Sequence, residues 1–225
     1  MKFVLPGQKT KILGSSRTDA MVSANEAAFE LFLYDKPLED HKSFLELFNK
    51  NLPPDIRAVS IEEVDQAFNI IQHPKNKEYL YLFSFGSKNH PFCAPLMANF
   101  QESLDIELMM QGAKLFEGTH SFQNYCVDPT TATRLIRTLS ACVLTENTMY
   151  TANFFPEKSY MLRIEGAGFL RYQIRLMMGT LVQLGKGELN KEAIISSLLP
   201  EIEMPMSYIA PASGLILNRI DFQQK

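Results

Sequence analysis

The sequence predicts an α+β protein with antiparallel sheet and its helices on one side. Three observations carry that prediction. Residues 78–85 (EYLYLFSF) alternate so that Tyr79, Tyr81, Phe83 and Phe85 share one face and Leu80 and Leu82 the other, the period of a strand. Residues 102–184 then read helix, strand, strand, helix, and the residues before about position 90 alternate strand and helix signals. Finally, 46% hydrophobic residues with 16 Phe and 8 Tyr supply a packed core. A chain of 225 residues buries about 70–75% of its unfolded surface, as one large domain or two small ones.

In chain order, residues 9–14 are strand-like and 27–34 form a second apolar run. Between them Ser15-Ser16-Arg17-Thr18-Asp19-Ala20 reads as a tight turn presenting one carboxylate. Residues 41–49 place Phe44, Leu45, Leu47 and Phe48 at helical spacing and stop before Leu52-Pro53-Pro54. Residues 55–64 alternate as a half-buried strand would. Residues 86–101, with Gly86, Pro91 and Pro95, connect two halves. A helix follows over 102–116, ended by Gly118, then strands over 135–144 and 159–165. Residues 169–184 have an amphipathic helical pattern closed by Gly185-Lys186-Gly187. Asn190 caps a shorter helix over 191–199, and the last strand spans 214–222.

Composition removes several classes of function. A net charge of −3 excludes a histone-like polycation but not a nucleic-acid binder, because binding follows local basic surface. Cys93, Cys126 and Cys142 are far apart, and His41, His73, His90 and His120 show no H-x-x-x-H spacing. Neither a disulfide framework nor a metal site is expected. The sequence has no P-loop and no Rossmann glycines. No apolar run approaches the ~18 residues of a membrane span, and Met1-Lys2-Phe3 does not open a signal peptide; a cytoplasmic protein is expected.

Chemistry concentrates at few places. Asp19 sits in the turn after a strand, where a rigid sheet holds a side chain in the open, although Ser, Thr and Asp also fill ordinary turns. On the helix expected from Phe169, Arg171 and Arg175 are four apart and therefore share a face. They are either snorkelling surface residues, or one turns inward to meet a carboxylate and favours its charged form. Tyr79 is either core or a platform on which a nucleobase stacks. His120, in the polar Gly118-Thr119-His120-Ser121-Phe122 stretch, is either a satisfied loop residue or an RNA contact. Lys9, Lys11, Arg17, Arg134, Arg137, Arg163, Arg171, Arg175 and Lys186 outnumber the acids near them, and folding decides whether they converge.

Taken together these stretches resemble the TruA-type tRNA pseudouridine synthases. Ser16-Arg17-Thr18-Asp19-Ala20 is similar to that family's G-R-T-D-A loop, and Leu52-Pro53-Pro54-Asp55-Ile56-Arg57 to its L-P-x-D-I-R turn. Phe68, Lys77 and Tyr79-Leu80-Tyr81 fall at the family's spacing. Gly118 to Tyr125 resembles G-x-H-D-F-x-x-F. Phe169-Leu170-Arg171, Ile174-Arg175 and Gly179-Thr180 resemble F-L-x-x-M-V-R-x-x-V-G-T, and Ala212-Ser213-Gly214-Leu215 resembles A-x-G-L. Three departures stand out. The chain has no Trp and is expected to begin after the family's first strand–helix unit, with its Y-D-G-x-x-Y-x-G-W-Q motif. Ser16 replaces the loop glycine and Val22-Ser23-Ala24 the family's V-H-A. Ile71 stands where an arginine follows Phe68.

The resemblance implies the pseudouridine synthase fold: two ferredoxin-like halves, here 1–90 and 91–225, with antiparallel sheets and flanking helices around a central cleft. It implies isomerisation of uridine to pseudouridine in the tRNA anticodon stem-loop, at tRNA positions 38, 39 and 40, by a homodimer without cofactor or metal. Asp19 would act at the ribose, by stabilising charge, adding to C1′ or taking a sugar proton. Arg175 would pair with it, and Tyr79 would stack on the detached uracil, with or without helping to move the C5 proton. Arg17, Tyr81, His120 and Arg171 would contact the RNA, Arg17 filling the place of the flipped base or gripping the backbone. Two other readings are a non-catalytic tRNA-binding protein or RNA chaperone, and an aspartate-dependent glycoside hydrolase. The second lacks a recognisable partner carboxylate.

Overall fold

A computed structural model describes residues 1–16 and 18–222. In chain order the elements are β1 (Thr10–Gly14), β2 (Ser23–Ala24), β3 (Phe29–Leu33), α1 (His41–Lys50), β4 (Pro74–Phe85), β5 (Ala98–Phe100), α2 (Ile106–Lys114), β6 (Gly118–Ser121), β7 (Ile136–Glu146), β8 (Tyr160–Gly166), α3 (Gln173–Gly185), α4 (Lys191–Ser197) and β9 (Leu215–Phe222). They form two compact units, one of Met1–Arg17 with Ala28–His73, the other of Thr18–Ala27 with Pro74–Lys225. The halves expected at 1–90 and 91–225 do not coincide with these units. Backbone pairing is the reason: β2 and β4 both bond to β9.

In the first unit β1 and β3 pair antiparallel, Thr10 opposite Leu33 and Gly14 opposite Phe29. Asp40 starts α1 by accepting from the Lys42 and Ser43 amides, meeting donors the helix itself leaves unpaired. Phe44 is buried, Phe48 stacks on it, and Phe29 of the hairpin meets Phe48 at 5.9 Å between ring centres. The strand expected over 55–64 is absent. Ile56 and Val59 are exposed, so the alternation has no face to bury. The backbone of Ala58 bonds both ways to the Asn49 side chain (2.8 and 2.9 Å) instead of to a neighbouring strand.

The second unit is built on a seven-stranded mixed sheet ordered β2-β9-β4-β8-β7-β6, with β5 alongside β4. As the alternation predicts, β4 divides its side chains between two cores. Tyr81 and Phe83 join α2, α3 and α4 on one face, while Leu80 and Leu82 meet Cys93, Met97, Met161 and Ile216 on the other. That second face is padded by the loop residues Tyr150, Phe154 and Phe155, so the helices of this unit do lie on one side.

Several boundaries moved. β4 begins at Pro74, earlier than its hydrophobic run, because Lys77 and Glu78 have partners on both sides, Gly166 and Glu165 on β8 and Ile220 and Arg219 on β9. α2 starts only at Ile106, where the Asp105 carboxylate caps Leu108. Residues 118–121, expected as a turn, form β6 against β7, and the 86–101 connection contains β5. The helix expected from Phe169 starts at Gln173, since Tyr172 stands at φ 63° in the left-handed region, which breaks a helix. Thus Arg171 and Arg175 do not share a helix face. Nor is α3 amphipathic: Ile174, Leu176 to Val182, Leu184 and Gly185 are all buried. Among the described residues no helix is long and apolar enough to cross a membrane.

Candidate active site

Asp19 opens a turn closed by the bond from Val22 N to Asp19 O (3.2 Å), with Met21 at φ 70°. The chain then enters the sheet as β2, Ser23 opposite Ile216 and Ala24 opposite Leu217. Asn25 fixes this end of the loop: its amide lies 2.9 Å from Leu217 O, and its side chain donates to Asn218 Oδ1 at 2.7 Å and to the Tyr150 hydroxyl. Asn218 occupies a bulge in β9 and donates in turn to Glu78. Burial alone would push the Glu78 carboxyl up; the bonds from Asn218, Glu165 and Arg163 overcome it and hold the group below its ordinary range.

The other anchor is Arg175, in the first turn of α3. Its Nη1 donates to Asp19 Oδ2 at 2.7 Å and its Nε to Ala210 O at 2.7 Å, while Ala210 N returns a bond to Arg175 O at 3.1 Å. The arginine side chain is 15% exposed and the aspartate 34%: the cation is largely enclosed and the carboxylate keeps an open side. The start of α3 is itself braced, because buried Gln173 accepts from Leu170 N at 2.8 Å.

Tyr79 lies half-buried on β4, its ring edge-on to Phe169 at 5.2 Å between centres. Leu217 of β9 pairs with Tyr79 on one side and Ala24 on the other, so the tyrosine and the end of the Asp19 loop are about two strand spacings, ~10 Å, apart. Tyr79 and Val22 pack against the same helix-side core.

Of the expected RNA contacts, Tyr81 is placed otherwise. It is fully buried and donates its hydroxyl to Pro211 O at 2.7 Å, which makes it a brace for the segment that Arg175 holds; burial pushes its pKa well above the ordinary value. His120 lies on β6, three strands from β4 and hence ~14 Å across the sheet from Tyr79, and donates Nε2–H to Glu117 O at 2.7 Å. Arg171 is exposed and pairs with Asp128 at 2.9 Å. Arg17 lies outside the described residues.

Sequence reasoning missed Tyr172. Its ring lies 5.1 Å from the Arg175 guanidinium carbon and 5.4 Å from that of Arg171, linking the two cations. No residue pattern announces a tyrosine at positive φ, which is uncommon outside Gly, Asn and Asp. Among the described residues no group of three or more His, Cys, Asp or Glu is placed to hold a metal ion.

Residues 113–223 match the family described as tRNA pseudouridine synthase. The tRNA pseudouridine synthase A 2 of Bacillus cereus is 31% identical over 218 residues, which cover 96% of this chain and 84% of that protein. The protein of the same name from Bacillus anthracis is 30% identical over the same shares. The tRNA pseudouridine synthase A of Oenococcus oeni is 30% identical over 216 residues, 96% of this chain and 82% of that one. Similarity of this extent, running through both units, means that the chain belongs to the tRNA pseudouridine synthase A family.

Proposed function

We propose that this protein converts uridine to pseudouridine on the 3′ side of the tRNA anticodon stem-loop, with Asp19 as the catalytic residue. It is an isomerase of tRNA processing, and the coarse reaction follows from its family. The C1′–N1 bond breaks, the base turns, and a C1′–C5 bond forms; the C5 proton leaves and N1 gains one. Atoms and charge balance without ATP or a redox partner.

Charge develops at C1′ as the glycosidic bond opens, so a fixed carboxylate beside it is useful. Asp19 meets that need, and Arg175 aims it. The guanidinium is fixed at Ala210 before substrate arrives, so orientation is established in advance. Tyr79 stacks on the detached uracil and limits where it goes while it turns. Arg17, Arg171 and His120 contact the RNA, and Tyr81 acts through the 210–211 segment. A homodimer working in the cytoplasm completes the reading.

The observation that carries it is the 2.7 Å pair between Asp19 and Arg175, enclosed on the arginine side and open on the aspartate side. Asp19→Asn is expected to abolish pseudouridine formation in an anticodon stem-loop transcript, scored by chemical derivatisation, while the variant still binds that RNA. Substantial turnover by the asparagine variant refutes the role of Asp19. Binding without conversion by the unaltered protein would instead identify a non-catalytic tRNA-binding protein.

A further inference from the structure

Four of the nine cations that the sequence scatters along the chain are neutralised by the fold. Arg163 meets Glu78 and Glu165, Lys186 meets Glu102, Arg171 meets Asp128 and Arg175 meets Asp19. Arg134 and Arg137 have no carboxylate partner among the described residues.

Arg137 is unusual among these. It is half-buried on β7, directly across from His120 on β6. Its Nη1 donates to the neighbouring Ile136 carbonyl at 2.9 Å, whereas its Nε is buried with no acceptor among the described residues. Burial pulls its pKa below the ordinary arginine value, with Arg134 acting in the same direction. An orphaned, partly desolvated guanidinium is unfavourable in the free protein. Arg137 and Arg171 both act electrostatically on the Cys126 thiol, and Val127 N bonds to Arg171 O at 3.2 Å, so the arginines converge on residues 126–128. Arg171 continues through the Tyr172 ring to Arg175.

We infer that Arg137, with Arg134 and Arg171 near it, is a subsite for one backbone phosphate of the bound RNA, within the arginine set that Tyr172 links to the Asp19–Arg175 pair. A phosphodiester supplies what the site lacks: a diffuse negative charge and two acceptor oxygens matching the Nε–Nη edge of a guanidinium. Arg137 is only half-buried, so a turn about the end of its side chain brings that edge to the surface. Asp128 is occupied by Arg171, and Arg137 has no carboxylate partner among the described residues until RNA arrives. This subsite rests on the RNA-modifying reading above and names where the substrate's backbone is gripped.

The test separates the two. Affinity is measured across a salt series with a stem-loop transcript in which every uridine is replaced by cytidine, so that binding is read without turnover. Arg137→Gln is expected to bind about tenfold more weakly and to lower the slope of log affinity against log salt by about 0.7–0.9, one phosphate's worth. Arg137→Lys keeps the charge and the full-length stem, so it guards against misfolding. It is expected to retain the slope and lose several-fold in affinity, because an ammonium lacks the fork. Unchanged affinity in Arg137→Lys, or an unchanged slope in a folded Arg137→Gln, overturns the subsite. So does inorganic phosphate raising the melting temperature of the unaltered protein as much as the RNA does, which marks a free-anion site. A lowered slope in Arg137→Gln beside an unaltered protein that makes no pseudouridine upholds the subsite and removes the catalytic reading.

Discussion

Gly179 lies against the backbone of Tyr208 so closely that a β-carbon on it would collide with Tyr208 O and stand 2.8 Å from its carbonyl carbon. Four residues earlier on the same helix, Arg175 exchanges hydrogen bonds with Ala210, two residues beyond Tyr208. One segment is therefore held to α3 at two points a turn apart, and one of them is the residue that orients Asp19. Gly179→Ala is expected to push this segment away, lowering stability by about 1–3 kcal/mol and turnover with it. Denaturant midpoints and pseudouridine formation measure the two effects. A variant with the native midpoint and rate would show that the close approach does not position Arg175.

Arg175 uses two edges of one planar group, and lysine cannot reproduce that. Arg175→Lys is expected to keep one of the bonds to Asp19 Oδ2 and Ala210 O and lose the other. Turnover should fall about 10–100-fold with little change in KM, because the loss is of aim rather than of RNA binding. A rise in KM at constant kcat would instead place Arg175 among the RNA contacts.

Asn25 is a positioning residue at the far end of the Asp19 loop. Asn25→Ala removes the side-chain bonds to Asn218 and to the Tyr150 hydroxyl and leaves the amide bond to Leu217 O in place. About a 3–10-fold fall in kcat is expected, with RNA affinity and melting temperature nearly native. Partial recovery in Asn25→Gln would support positioning; equal losses in kcat and thermal stability would make the bond merely structural.

The alkaline limit of stability has an identifiable source in Tyr125. This buried phenol shares a 2.7 Å hydrogen bond with Ser197 Oγ, and burial pushes its pKa from 10 up to about 12. The folded state therefore keeps a proton that the unfolded state gives up first. Tyr125 contributes its full stability below pH ~10 and loses it as pH rises toward ~12, on the order of 2–3 kcal/mol in all. Tyr125→Phe is expected to flatten the decline of the denaturant midpoint over that window, at a cost of about 1 kcal/mol at neutral pH for the lost bond. An equally steep decline in the variant would assign the alkaline loss to other groups.

Local chemistry alone made much of this protein legible. The alternation of residues 78–85 announced β4 and the division of its side chains between two cores, because a strand's period is independent of what surrounds it. Asn190 marks a helix start, since capping is settled within three residues. The order of Asp19, Tyr79 and Arg175, with their neighbours, was enough to suggest the family.

Long-range pairing decided the rest. Residues 55–64 alternate like a strand yet lack a partner, and 118–121 look like a turn yet find one in β7. The left-handed Tyr172 ends the apparent helix of 169–184 early, which separates Arg171 from Arg175 and sends one to Asp128 and the other to Asp19. Tyr79 and Tyr81 read alike in sequence, but the segment around Pro211 seals one and leaves the other half-open. Sequence determines which residues can form a strand, cap a helix or carry charge. Which groups meet, and which cation is left without an anion, is fixed only when segments over 150 residues apart are packed together, since burial and hydrogen-bond partners are properties of the assembled core.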